Sequence, residues 1–279
     1  MCRWNAYVGQ PLVMGELLYR TQHGLIDESL HSRMGAETTN GDGFGVGWYG
    51  VGDRTVPARY RSVNPAWNDF NMRELGDHIQ SPLFLAHIRA AIGSPVQQSN
   101  CNPFRHDRWL FVHNGFVAGL STLRRDLLMT VDPSLFNGIA GSTDSELLFH
   151  LALTFGLEQN PVSAMERVVG LVETKAREHG VENPVQGTFG ISEGERVWAI
   201  RYSSEHHSRT LFVSADVDAL RRLHPHNDRL QQLNEGDRVV VSEPLGDLSG
   251  AWLEVPESTA LVITDGDLQQ QPFTPVEKS

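Results

Sequence analysis

The chain has 279 residues and a formal net charge of −11. An acidic chain with no basic run is a poor candidate for binding nucleic acid or an anionic membrane, and no apolar stretch approaches the ~20 residues of a bilayer-spanning helix. Cys2 and Cys101 are its two cysteines. Two thiols do not make a secreted disulfide framework, and neither sits in C-x-x-C or C-x-x-H spacing. A reducing cytoplasm, no bound metal and no cofactor are therefore expected.

Residues 3–9 (RWNAYVG) are rich in β-formers and closed by Gly9-Gln10-Pro11, so a strand is expected almost at the terminus. Residues 12–19 have helical apolar spacing. Asn40-Gly41-Asp42-Gly43 is a turn signal. The following Phe44-Gly45-Val46-Gly47-Trp48 alternates Gly with large apolar residues, as in a strand lying against another backbone. Residues 60–71 are polar and Pro-broken and read as a loop, with a helix over 72–79. Residues 83–89 (LFLAHIR) and 109–113 (WLFVH) are apolar runs expected to be buried strands, the second stopped by Asn114-Gly115.

A helix is expected over 120–129. Another covers 145–155, with Leu147, Leu148, Leu151, Ala152 and Phe155 on one face and capping residues Ser142-Thr143-Asp144 before it. A third runs over 162–179. After Pro184 the pattern changes to short strands, at 185–191, 196–202, 210–214, 238–242 and 258–263. No repeat or linker divides the chain, so residues 2–279 are expected to form a single domain. Its fold class would be α+β, two antiparallel sheets packed together and covered by helices.

Four places carry candidate chemistry. Methionine aminopeptidases remove Met1 when a small residue such as Cys follows. Cys2 then bears a thiol and a free α-amine, and an amine of pKa near ~8 can accept the thiol proton close to neutral pH. Nucleophile and base are thus one residue. The plain alternative is a small buried hydrophobe in a first strand. His87-Ile88-Arg89 ends a buried strand in a guanidinium suited to a carboxylate, and His87 and Arg89 together are taken as substrate-side residues; the alternative for Arg89 is a structural ion pair. Asn114 and Gly115 offer a side-chain amide and an N–H to a developing oxyanion, or simply a hairpin turn. Asp144, at a helix start, suits an ammonium group or serves as an N-cap. Jointly these residues make an amide-hydrolysis set.

The ordered set Met1-Cys2-Arg3, residues 40–45 (NGDGFG), 86–91 (AHIRAA), 102–104 (NPF), His113-Asn114-Gly115 and 142–146 (STDSE) resembles the class II glutamine amidotransferases of the N-terminal-nucleophile hydrolase superfamily. The resemblance implies a four-layer αββα sandwich and attack by Cys2 on a γ-carbonyl to give a glutamyl thioester. It implies Asn114 and Gly115 as the oxyanion hole, Arg89 on the α-carboxylate and Asp144 on the α-ammonium. The turn from Asn40 to Gly43 would lie against the Cys2 amine, with Asn40 and Asp42 orienting it.

Residues 64–68 (NPAWN), 242–245 (SEPL), Trp252 and Val255-Pro256 are similar to stand-alone members that cleave γ-glutamyl bonds to thiol-derived amines, in glutathione degradation and in the ergothioneine pathway. Two positions depart from that pattern: Ile92 stands where Thr is usual, and Asn102 where His is frequent. Trp67 and Trp252 are expected to line the pocket and Glu243 to meet the leaving amine. The histidines at 206, 207, 224 and 226 read as surface residues. The expected partner is a small-molecule γ-glutamyl substrate; a homo-oligomer and a separate partner subunit both stay open. The alternative functions are a glutaminase subunit delivering ammonia to a partner and a non-catalytic glutamine or γ-glutamyl sensor.

Overall fold

The computed structural model describes residues 2–34, 39–52, 55–91 and 93–276; the expectations concerning Met1 and Ile92 lie outside them. The first sheet opens with β1 (Arg3–Val13), β2 (Phe44–Trp48), β3 (Ala58–Ser62) and β4 (Gln80–Ile88). The chain then builds the second sheet with β5 (Phe104–His106), β6 (Trp109–Val117), β7 (Val185–Ser192) and β8 (Arg196–Ser203). It returns to the first with β9 (Phe212–Ser214), β10 (Arg238–Val241) and β11 (Trp252–Glu254), and closes the second with β12 (Thr259–Thr264) and β13 (Asp267–Pro272). Strand orders are β11-β9-β10-β1-β4-β2-β3 and β13-β12-β8-β7-β6-β5, with every pairing antiparallel.

Side chains alternate across each strand, and this divides the core into three layers. Trp4, Ala6, Leu83, Leu85, Leu110 and Val112 fill the space between the sheets. On the outer face of the first sheet, Tyr7, Phe84 and Val239 pack under α1 (Gly15–Leu18), α2 (Leu25–Leu30), α3 (Phe70–His78) and α8 (Val217–Leu223). On the outer face of the second, Phe111, Phe189 and Ile200 pack under α4 (Leu120–Leu128), α6 (Asp144–Thr154) and α7 (Pro161–Glu178); a short α5 (Pro133–Phe136) precedes α6. The result is the four-layer αββα arrangement. α7 shows the local logic: Asn160 accepts from the Ser163 N–H, Pro161 opens the helix, and Met165, Val168, Val169 and Val172 are buried in one stripe.

Several boundaries differ from expectation for identifiable reasons. Gly9-Gln10-Pro11 does not end β1. The pairing with β4 shifts between Val8 and Leu12, so a bulge absorbs the turn-like residues and the strand resumes. Leu12 and Val13 are therefore strand, and only Gly15–Leu18 is helical. The polar stretch 60–71 contains the end of β3 and the start of α3, whose first turn is capped by Asp69 accepting from the Met72 N–H.

β6 does not stop at Asn114-Gly115. Gly115 faces Gly187 on β7, and a Cβ on Gly115 would lie 2.0 Å from the Gln186 carbonyl oxygen. The glycine therefore permits close strand approach within a ladder. The glycines of β2 behave as the alternation predicts: a Cβ on Gly45 would lie 2.3 Å from the Asn102 carbonyl oxygen. The short helices α2, α5 and α8 and the strands β3, β5, β11 and β13 went unpredicted. β13 is mostly exposed and polar, and owes its position to six paired residues across the Asp265-Gly266 turn from β12.

Candidate functional site

The two-residue period of the strands explains why distant residues meet. Cys2 precedes Arg3, which pairs with Ile88, and shares the inter-sheet face with Trp4. Arg89 continues the face of Leu85 and His87, and Asn114 the face of Val112. Three chain segments thus aim side chains into one end of the layer between the sheets. There Cys2, Arg89, Asn114, Gly115 and Asp144 line a single cavity of about 60 Å3. One buried water needs only about 10–15 Å3, so a small polar head group is a reasonable occupant.

Cys2 is half-buried and its thiol is free. The Ala90 N–H donates to Sγ at 3.4 Å, and the thiol faces the Ala90 carbonyl at 3.5 Å. Burial pushes the thiol above its ordinary value, while the Ala90 contact and Arg89 pull the other way. A thiol raised in this way is mostly protonated at neutral pH, so its use as a nucleophile requires a base at hand. Cys101, the other thiol, is buried, also free, and sits against the Ser62 carbonyl.

Arg3 anchors this end of β1. Its Nε donates to Glu243 at 2.5 Å, Nη1 to the Cys2 carbonyl at 2.8 Å and Nη2 to Ser32 at 2.6 Å. Glu243 also accepts from Ser32 and from the N–H groups of Arg33 and Met34. Burial works against the Glu243 carboxylate, yet Arg3 and these donors hold it below the usual range. Glu243 is therefore a clasp on the N-terminal strand, and its oxygens are taken up there instead of facing a leaving amine.

Arg89 is buried without a carboxylate partner among the described residues. Its guanidinium donates to the Asp42 carbonyl at 3.2 Å, to Ser94 Oγ at 2.7 Å and to the Pro95 carbonyl at 3.2 Å. The structural ion pair weighed from sequence is absent there, and neutral oxygens leave the positive charge uncompensated. Asp144 shows the mirror image. Its Oδ2 accepts from the Val117 N–H at 2.9 Å and its Oδ1 from the Ser145 N–H at 2.7 Å. Thr143, not Asp144, caps α6 by accepting from the Glu146 N–H.

The remaining predicted residues lie behind the cavity wall. The Asp42 carboxylate accepts from the Ala91 N–H at 2.8 Å, and its own N–H donates to the Arg89 carbonyl at 3.0 Å, so it shapes the 89–91 segment. Asn40 is buried, its N–H donates to the Ser29 carbonyl at 2.7 Å, and its carboxamide makes no hydrogen bond. His87 sits between the sheets and lines no part of the cavity; Nε2 meets the His113 carbonyl at 3.1 Å. Burial pushes its imidazole down to about 3, so it is neutral. Trp67 packs against Gly41, and Trp252 packs on the outer face of the first sheet; neither lines the cavity.

Some neighbours were not anticipated. Asn100 joins two walls, donating to the Pro95 carbonyl and accepting from the Ser142 N–H. Glu146 accepts from the N–H groups of Ala140 and Gly141, folding the loop before α6. His113 turns to the helix side, stacked on Phe189 with Nδ1 2.9 Å from Ser145 Oγ. Ser94, Asn102, Phe116, Thr143 and Arg209 also line the cavity. Among the described residues no three His, Cys, Asp or Glu side chains gather as a metal site, and no helix is long and apolar enough to cross a membrane.

Comparison with known proteins bears on this arrangement. A family model described as glutamine amidotransferases class-II matches residues 20–279, a span that begins downstream of Cys2. The probable glutamine amidotransferase DUG3 of Saccharomyces cerevisiae is 29% identical over 292 residues, covering 94% of this chain and 82% of that protein. The gamma-glutamyl-hercynylcysteine sulfoxide hydrolase of Mycolicibacterium smegmatis is 33% identical over 138 residues, 48% of this chain and 60% of that one. The solved structure of a glutamine aminotransferase class-II domain protein from Silicibacter pomeroyi superposes with a TM-score of 0.72 at 30% identity, covering 98% of this chain and all of that one. A glutamine PRPP amidotransferase from B. subtilis gives a TM-score of 0.67 at 16% identity over 50% of its length, a likeness of fold alone.

Proposed function

We propose that this chain, which belongs to the class-II glutamine amidotransferases, hydrolyses γ-glutamyl amides through a thioester on Cys2 and releases glutamate. Membership makes it an amidohydrolase-type enzyme. The substrate and the residue roles are our reading of the geometry. We also read residues 2–279 as one domain, because β1 lies between β4 and the late strand β10.

With Met1 removed, the Cys2 α-amine takes the thiol proton and Sγ attacks the γ-carbonyl carbon. The carbonyl oxygen becomes an oxyanion accepted by the Asn114 amide and the Gly115 N–H. As the C–N bond breaks, the ammonium of Cys2 returns its proton to the departing amine, leaving the thioester. Water then attacks, losing a proton to the same amine. The C–S bond breaks, glutamate leaves, and the proton returns to sulfur. Arg89 grips the α-carboxylate with its remaining donors and Asp144 receives the α-ammonium. Asn40, buried with an unsatisfied carboxamide, is assigned to orient the Cys2 amine, with Asp42 acting through the 89–91 segment. His87 is given a packing role.

The observation that carries this reading is the convergence of a raised-pKa thiol with an uncompensated cation and a carboxylate on one cavity. The zwitterionic head of a γ-glutamyl group presents the complementary pair of charges. The test is purified protein alone, incubated with glutamine, γ-glutamylglycine and glutathione, with glutamate measured. Release from at least one supports the reading. Release from none, with Met1 confirmed absent by intact mass, removes it in favour of a partner-dependent subunit or a sensor.

A further inference from the structure

β3 and β5 are the edge strands of the two sheets, and three arginines bridge them. On β3, Tyr60 packs with Phe44 on the outer face, so Arg59 and Arg61 on either side of it point toward the other sheet. Arg59 Nη1 donates to the Pro103 carbonyl at 3.2 Å, and Arg61 Nη1 to the Cys101 carbonyl at 3.2 Å. From β5, Arg105 Nη1 reaches back to the Pro57 carbonyl at 2.9 Å. Arg59 and Arg105 thus cross one gap from opposite sides, each ending on a carbonyl close in sequence to the other.

Every acceptor these side chains use is a neutral main-chain oxygen, and among the described residues none of the three is paired with a carboxylate. The field of Glu146 reaches Arg59 and Arg61, but its oxygens are taken by the N–H groups of Ala140 and Gly141. Burial, then the charges of Arg61 and Arg105, pull the Arg59 guanidinium down to about 10, so it stays charged at neutral pH. Arg61 is lowered too, first by burial. Like charges gathered without a counter-charge repel one another, and an anion between them relieves that repulsion. A guanidinium carries five N–H donors, and none of those left over on the three arginines is buried without a partner, so they remain open to a ligand. The groups are also set in place beforehand. Gly45 leaves room for the Arg61 stem, since a Cβ there would lie 2.9 Å from Arg61 Cγ. Side chains held in this way lose less freedom when a ligand binds.

We propose that Arg59, Arg61 and Arg105 form a binding site for a compact, multiply charged anion of the phosphate class, a diphosphate ahead of a single phosphate. Guanidinium forks match phosphoryl oxygens, and three cations spread over two strands suit an anion with more charge and reach than one phosphate. None of the three lines the catalytic cavity, so the site stands whether or not Cys2 is the nucleophile.

The test is calorimetric titration of the full chain with inorganic pyrophosphate and, separately, with orthophosphate, at an ionic strength fixed with sodium chloride. The expected result is one pyrophosphate per chain with a Kd below about 1 mM, and orthophosphate weaker by at least about fivefold. Arg105 is exposed, so Arg105→Gln should melt as the wild type does and lose at least about fivefold in pyrophosphate affinity. Arg105→Lys, which keeps the charge without the fork, should fall between the two. Arg89→Lys, altered inside the cavity, should bind pyrophosphate as the wild type does. A Kd above that limit, or either ratio below fivefold, overturns the proposal. So does a loss of binding in Arg89→Lys, which would put the anion in the catalytic cavity.

Discussion

The two sides of the cavity are held by different means. The second-sheet side, Asn114 and Gly115, belongs to the interior of β6, paired with Thr188 and Gly187 on β7. Its geometry follows from a ladder and from the lack of a Cβ. The first-sheet side, Cys2, lies at the very start of β1, where the ladder ends. Its position depends on Arg3, Glu243 and Ser32, and the Arg3–Glu243 contact spans 240 residues of sequence. A strand interior is rigid by construction, whereas a strand end must be clasped by side chains from elsewhere. The oxyanion side should therefore fail by steric clash, and the nucleophile side by loss of charge pairing.

The largest expected effect is Cys2→Ala, which removes the nucleophile from the clasped side. Turnover should fall by about a thousandfold or more, with stability within about 1 kcal/mol of wild type, because little volume is lost. Steady-state glutamate release and thermal melting measure the two. Normal turnover would break the assignment of Cys2. On the ladder side, Asn114→Ala should lower kcat by about 10²–10³ with KM little changed, the loss of one oxyanion donor. Gly115→Ala should also destabilise the fold by about 1–3 kcal/mol, since its Cβ meets main-chain oxygen that cannot move alone. A fully stable Gly115→Ala protein would contradict the close approach of β6 and β7.

Glu243→Gln sharpens the comparison from the clasped side. Breaking one half of a buried pair costs about 3–5 kcal/mol, and Glu243 is buried with Arg3. The carboxylate is held below its usual range in the folded state. Its stabilisation is therefore complete above the unfolded-state pKa of about 4.3 and lost as pH falls through the folded value. Glu28, buried nearby and pushed upward first by burial and then by Glu243, has the opposite sign, favouring the fold as it protonates. The Tm difference between wild type and Glu243→Gln should be widest at neutral pH and narrow in acid. A difference that grows in acid would exclude the clasp. The smallest effect is Arg89→Lys: KM should rise about tenfold or more as a two-pronged contact becomes a point charge, with kcat nearly kept and the fold unchanged.

Much of this was legible in the sequence where strand period alone sets position. Cys2, Arg89 and Asn114 sit at the ends or middles of apolar runs, and parity places all three on the inter-sheet face. The long helices α6 and α7 were legible through caps and apolar stripes. Gly115 was legible as a residue that must lack a Cβ, though its setting is a ladder and not a turn. The rest depends on side chains meeting across loops, which no local pattern encodes. Nothing near Glu243 in sequence indicates Arg3 as its partner. His87 shares the parity of Arg89 but lies one layer deeper, where burial keeps it neutral, and parity cannot report depth.

The central claim is most directly tested by covalent trapping. The purified protein is treated with a diazoketone analogue of glutamine and read by intact mass and peptide mapping. The account predicts one adduct, on Cys2 of a chain that begins at Cys2, with release of glutamate abolished in proportion. An adduct on Cys101, or full activity in a chain that keeps Met1, would contradict it.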